Sequence, residues 1–429
     1  MMKKNLEKIS DNIKEFKVGE GLKILSLSTL GKGFLVIRGS IPIDFSFLKK
    51  NSQIGEVAAA LLTEGTKGKT KEKIREILES RGADIHFSVN SHFLEINAEC
   101  LKEDAGEIIP LLFEILLEPS FPQTSLGSLK VRRIAEETQL KKDTNEMASI
   151  TLAQSIFTEG HPSYLESPDV VIKNIKSISL SDLNDFHGKV ISSAPVTFAV
   201  VGDISKKETD IFSKNILRLK EREKSVLSVE NQKQKFVEKT IEKNVEIADK
   251  ASATILFGQP VKMSRFDKDY VPFRVGVGVL GDHGFSARLM SEIRDKQGLT
   301  YAIYARLRGM KKNTHGHFEV CGTFAPSLLK KGRDLTFQEI KKWIERGVTE
   351  KELDFRKKNI IGSFKVALGT VHGLAEEIIS EAENGHQKDF IDEYQKLIQK
   401  VTLKEVNSAI KRHLSPDKFV IVKAGTLGS

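Results

Sequence analysis

Arg294 and Tyr301 stand seven residues apart in F-S-A-R-L-M-S-E-I-R-D-K-Q-G-L-T-Y (285–301), with a glycine between them. Two long side chains that donate hydrogen bonds, held close together, suit gripping a backbone carbonyl or an oxyanion. They cannot activate water on their own. A hydrolytic centre would need a metal or a nucleophile elsewhere, and the sequence offers neither. None of the ten histidines forms the i, i+4 pair that places two imidazoles on one helix face around zinc. His315 and His317 flank Gly316 and read as exposed residues beside a turn, and His161, in E-G-H-P-S-Y, has no visible partner. The two cysteines, Cys100 and Cys321, form no C-x-x-C motif and read as buried thiols. Gly276, Gly278 and Gly281 spell G-x-G-x-x-G, but without the βαβ unit that gives this spacing a phosphate to bind. There is no P-loop and no G-x-S-x-G elbow.

The elements that must position Arg294 and Tyr301 belong to a doubled unit. Residues 177–202 and 400–425 align at a constant offset of 223 without a gap. Ile178 matches Val401, Leu180 matches Leu403, and Gly202 matches Gly425. In each copy a Ser or Thr (Ser179, Thr402) precedes a leucine and an acidic residue (Asp182, Glu405), which predicts a capped amphipathic helix. Each copy then passes a proline into an apolar strand, V-T-F-A-V-V and K-F-V-I-V-K. A fainter match pairs 76–85 with 292–301 at offset 216, both being helix ends closed by a glycine, Gly82 and Gly298. Leu78 and Ile85 occupy the positions of Arg294 and Tyr301 in the first copy, so the repeated fold does not require the polar pair. Residues 85–99 alternate apolar and polar, as a half-buried antiparallel strand pair would. Two homologous α+β domains follow, 1–225 and 240–429, each an antiparallel sheet with helices packed on one face. The charged stretch 217–243 contains the linker, placed at 226–239.

The bulk numbers fit a soluble multidomain chain. It has 429 residues, 39% hydrophobic and 29% charged. No apolar run reaches the roughly 18 residues of a membrane span. The N-terminus has no secretory h-region, so a cytoplasmic location is expected, or a periplasmic one after processing. Net charge is +9, yet the lysines mostly alternate with glutamates, and only five Tyr and one Trp accompany them. That pattern reads as solvated helix faces and does not point to nucleic acid.

Taken in order, A-A-A-L-L-T-E-G-T-K-G-K-T (58–70), E-T-Q-L-K-K-D (137–143), H-P-S-Y (161–164), A-V-V-G-D-I (199–204) and L-G-D-H-G-F-S-A-R-L-M-S-E-I-R-D-K-Q-G-L-T-Y (280–301) resemble the pitrilysin/insulinase family of zinc metallopeptidases, the inverzincins. The likeness is to the bacterial two-subunit branch related to mitochondrial processing peptidase. The family motif is His-x-x-Glu-His with a glutamate ligand downstream. Anchored on Gly65-Thr66, its positions fall here on Glu56, Ala59 and Ala60, and the downstream ligand on Glu137. Both histidines and the general base are missing, so no zinc and no hydrolysis are expected of this chain alone. The resemblance implies that a zinc-bearing homologous subunit supplies the chemistry. Arg294 and Tyr301 would then reach the peptide near the scissile bond, and the loop Gly281–Gly284 would border the chamber and let a backbone approach. The other readings are a peptide-binding scaffold of the same fold without a protease, and a homodimer hydrolysing through an unrecognised metal set.

Overall fold

The computed structural model describes residues 8–18, 21–29, 33–219, 233–282 and 286–427. The strands are β1 (Ile13–Val18), β2 (Leu22–Ser28), β3 (Phe34–Pro42), β4 (Asp84–Val89), β5 (Phe93–Leu101), β6 (Val196–Gly202), β7 (Ile241–Glu246), β8 (Ala253–Val261), β9 (Thr300–Arg308), β10 (Gly316–Phe324) and β11 (Val420–Gly425). The helices that matter here are α1 (Ile54–Leu61), α2 (Ala105–Leu117), α3 (Gln123–Leu140), α4 (Thr144–Ile156), α5 (Leu180–Phe186), α6 (Tyr270–Leu280), α7 (Leu329–Arg346), α8 (Glu350–Leu368), α9 (Val371–Glu383) and α10 (Leu403–His413). None of the described helices is long and apolar enough to cross a membrane.

The repeat read from the sequence is a repeat in space. Ser179 caps α5 and Thr402 caps α10, each through a reciprocal box closed by Asp182 or Glu405. The glycines that end the following strands share one backbone conformation, φ 142° at Gly202 and 137° at Gly425. At Gly202 a Cβ would sit 2.3 Å from the Phe34 carbonyl oxygen, so only glycine fits. We expect Ser179→Ala and Thr402→Ala each to lower stability by about 1 kcal/mol. Urea unfolding measures this, and a cap that costs nothing on truncation would break the equivalence.

The first sheet runs β1-β2-β6-β3-β5-β4 and the second β7-β11-β8-β10-β9. With β1 set aside, the two orders are the same. Both sheets are antiparallel except for one parallel pair in each, β2 with β6 and β7 with β11. That pair corrects the expectation of wholly antiparallel sheets. Its strands are far apart in sequence and are joined by helical crossovers, which permit a parallel neighbour. The hairpin expected over 85–99 is β4–β5, in register from Asp84↔Glu99 to Val89↔Leu94. Cys100 and Cys321 lie on the corresponding strands β5 and β10 as buried free thiols. Burial pushes them up, to about 12 and about 11 respectively.

The two compact units are not consecutive stretches of chain. The first takes in the described parts of Met1–Ala135, Val171–Ser228 and Ser363–Tyr394, the second those of Glu136–Val170, Val229–Gly362 and Gln395–Ser429. In the first unit, α1, α2 and α5 cover one face of the sheet, burying Leu35, Ile37, Leu94, Ile96 and Phe198. The opposite face meets α9, which comes from the C-terminal half of the chain and lies on β3 and β6. In the second unit, α7 contributes Phe337 and Trp343 to one face, stacked on Phe257 and Phe318. The other face meets α4, which comes from the N-terminal half: Ala148, Leu152 and Ile156 pack on Leu256, Val420 and Val422. Gly258 leaves the slot that Leu152 enters, since a Cβ there would lie 2.4 Å from Leu152 Cδ1. Each sheet is thus covered on one face by helices of its own half, and its other face meets a helix from the far half. Of the charged stretch 226–239, residues 226–232 lie outside the described residues. The rest is tied to the second unit, where the Gln234 amide donates to the carbonyls of Val261 (3.3 Å) and Gly316 (2.6 Å).

Candidate functional site

A helix stop and a strand start fix the relation of Arg294 to Tyr301. The helical turn Met290–Lys296 ends where Gly298 takes φ 61°. The Gly298 N–H donates to the Arg294 carbonyl (2.9 Å) and the Leu299 N–H to the Ile293 carbonyl (3.1 Å). Ile293 and Leu299 are buried, which pins the inner side of the turn. The outer side carries the pair, with the Arg294 guanidinium carbon 5.5 Å from the centroid of the Tyr301 ring. Tyr301 is 87% exposed, so packing does not explain its presence. Arg294 also has Asp295 at 3.4 Å, an exposed contact of little energetic weight.

Tyr301 also sits on a β-bulge, which the sequence does not announce. β9 pairs with β10 through Ile303↔Gly322 and then Thr300↔Phe324, so Tyr301 and Ala302 together oppose Thr323. β9 is the edge strand of its sheet. A bulge at an edge breaks the alternation of side chains and re-aims one of them. Thr300 holds it closed, its hydroxyl donating to the Thr323 carbonyl.

The glycines before the pair answer to the chain's own packing. A Cβ on Gly276 would lie 2.9 Å from Ile410 of α10, one on Gly278 2.2 Å from Arg356 of α8, and one on Gly281 2.5 Å from the Ala305 nitrogen of β9. This accounts for the G-x-G-x-x-G spacing without a nucleotide. The Gly281 carbonyl accepts from the Ala305 N–H (3.1 Å), so this glycine locks α6 to the strand that bears Tyr301. Gly284 lies outside the described residues.

The positions where the resemblance places zinc ligands are not built for a cation. Glu56 is on α1, where Ala59 is buried and Ala60 exposed. The Glu56 carboxylate accepts from the Arg133 guanidinium of α3, which also reaches Gln53 Oε1 at 3.3 Å. A fixed positive charge on the Glu56 carboxylate opposes a dication there. Glu137 follows one turn beyond Arg133 on the same helix. Among the described residues no three His, Cys, Asp or Glu side chains cluster as metal ligands would. The residues present do not fit zinc.

Sequence reading missed a buried polar chain on the face of β9 and β10 that carries Cys321. Glu319 is nearly fully buried, which by itself would raise its pKa. His317, with Nε2 at 3.2 Å, and the Arg308 guanidinium outweigh that and hold the carboxyl below its ordinary value. Tyr304 is pushed up to about 12 by burial and by its hydrogen bond with Cys321. The face of its ring carries the Arg306 guanidinium, 4.1 Å from the centroid. The signal available was the alternation Y-A-R-L-R (304–308), which puts Tyr304, Arg306 and Arg308 on one face of a strand. His317 is buried, not exposed as its neighbouring turn glycine implied. The reason is Phe157, which follows α4 and packs edge-on against His317 while stacking on His161 at 4.2 Å. The two histidines that looked unrelated in sequence flank one phenylalanine.

The chain thus has two α+β units with matching sheet orders, an Arg294/Tyr301 pair at a strand edge and no cluster of metal ligands among the described residues. Comparison with known proteins finds non-catalytic relatives. Residues 177–360 match the Peptidase M16 inactive domain. The chain is 29% identical over 378 residues to the non-peptidase homolog YmxG of Helicobacter pylori (strain ATCC 700392 / 26695), covering 85% of this chain and 83% of that protein. Its fold is similar to the crystal structure of a peptidase M16 inactive domain from Pseudomonas fluorescens, with TM-score 0.87 and 24% identity over 96% of this chain and 98% of that one. It is also similar to the crystal structure of a protease from Helicobacter pylori, with TM-score 0.81 and 17% identity over 96% and 99% of the two chains. These findings support the non-catalytic branch of the M16 peptidase family for this chain.

Proposed function

We propose that the chain is the substrate-gripping, non-catalytic subunit of a heterodimeric zinc peptidase acting on peptides or unfolded segments. The observation that carries this reading is the contrast between two sites. One face holds Glu56 closed by Arg133, beside Ala59 and Ala60, and can neither bind zinc nor activate water. The bulged edge of β9 offers Tyr301 to solvent with Arg294 stacked on its ring. A guanidinium and a phenol are donors without a base, suited to a carbonyl oxygen that gains charge while another subunit attacks it. An exposed tyrosine that no packing requires supports a binding role.

The test uses the purified chain with a homologous subunit that carries His-x-x-Glu-His. Metal analysis of the chain alone should find no stoichiometric zinc, and the chain alone should cleave no peptide. The mixture should form a heterodimer that cleaves peptides faster than the zinc subunit alone and loses activity to chelators. One tightly bound zinc per chain, with chelator-sensitive hydrolysis, would refute the reading. Peptide binding without any gain on mixing would favour a scaffold of the same fold.

A further inference from the structure

We propose that Arg306, stacked on Tyr304 of the edge strand β9, is a second recognition site that takes a carboxylate of the bound peptide, an inference that rests on the gripping reading for its ligand. Tyr304 is a rigid platform. It is partly buried among residues packed on the α4 core and lies directly across the strand pair from buried Cys321. The Arg306 guanidinium lies over that ring at 4.1 Å while the residue remains exposed. Stacking uses the face of a guanidinium and leaves its in-plane N–H donors at the edge, where they match the two oxygens of a carboxylate.

The neighbouring arginines are engaged differently. Arg308, two residues on, is committed to buried Glu319, and Arg288 grips Glu352 with two bonds. Among the described residues the Arg306 side chain takes part in no ion pair or hydrogen bond, and its contact is the ring. A guanidinium held in place by an aromatic face, with its donors unspent, is pre-organised for an anion and loses little freedom on binding one. The chain's net charge of +9 favours acidic partners in the same direction. Arg306 lies five positions beyond Tyr301 on the same strand, roughly 15 Å at the rise of an extended chain. An extended peptide held at Tyr301 would cover that distance with four or five of its own residues. The carboxylate is therefore an Asp or Glu side chain at that remove, or the peptide's own C-terminus.

Fluorescence anisotropy with labelled extended peptides tests this on the wild-type chain and on Arg306→Gln. Pairs of peptides differ only in one glutamate or glutamine, moved along the sequence, each made with a free and an amidated C-terminus. In one register the glutamate peptide should bind the wild type roughly fivefold to tenfold tighter than its glutamine twin, an advantage that added salt reduces. Arg306→Gln should remove the advantage and leave binding of the glutamine twin unchanged. Arg306→Lys should restore part of it, since the charge returns without the planar fork. If amidation, and not the glutamine change, removes the advantage, the site takes a terminal carboxylate and the proposal stands. If the advantage survives in Arg306→Gln, or the wild type binds all twins equally, the proposal falls while the gripping reading remains. If the wild type binds none of the peptides, the gripping reading falls and the proposal with it.

Discussion

In the proposed heterodimer with a zinc-bearing subunit, Arg294→Ala or Tyr301→Phe is expected to lower turnover about 10²–10³-fold, roughly 3–4 kcal/mol, the usual cost of one oxyanion-type donor. The partner's zinc content and the heterodimer should persist, because neither residue is a metal ligand. Folding stability should hardly change. Tyr301 is 87% exposed and its hydroxyl supports no packing. The Arg294 contacts with Asp295 and with the ring of Tyr301 lie at the surface. Removing contacts of that kind costs at most about 1 kcal/mol. The two magnitudes separate the readings. A large rate loss at constant unfolding midpoint assigns the pair to the substrate. Near wild-type turnover in both variants makes the pair structural and the chain a scaffold.

The second large effect is acid instability seated at His161. The imidazole is 3% exposed, stacks on Phe157, and accepts at Nδ1 from the Ser163 N–H (3.0 Å), while Nε2 has no hydrogen-bond partner among the described residues. Burial, then the nearby His315 and His317, lower its pKa from 6.5 to about 4. The folded state therefore binds this proton less readily than the unfolded chain. Its contribution to stability is full above pH 6.5 and is lost as pH falls toward 4. By pH 5 the loss reaches about 2 kcal/mol. Urea unfolding at pH 7 and pH 5 should show wild type losing that much more than His161→Gln. Equal losses would show that His161 titrates normally in the folded chain.

What the sequence disclosed about this fold was the part encoded locally. A Ser or Thr followed three residues later by an acid, and a glycine forced to φ near 140°, are each written within a few residues, so the repeat could be read at Ser179/Thr402 and Gly202/Gly425. The nearness of Arg294 to Tyr301 was legible for the same reason, since one left-handed glycine sets it. What stayed hidden depends on distant partners. The Asp143 cap of the helix over 144–156 is local, but nothing near it says which sheet the helix covers. Arg133 could not be matched to Glu56 from a separation of 77 residues. The bulge at Tyr301 arises from the register of β9 against β10, which neither strand encodes alone. His161 and His317 meet because Phe157 brings them together, not because of any spacing between them.

The exchange of α4 and α9 sets the order in which this protein can be completed on the ribosome. The first sheet has all its strands once β6 emerges at Gly202, yet one of its faces stays wet until Val371–Glu383 has been made. Meanwhile α4 is finished early and must wait for β8 and β11. Such long-range closures slow folding and leave apolar surface open during synthesis. Neither half of the gene encodes a finished domain. A cut at the middle of the chain would separate each sheet from the far-half helix that packs on it.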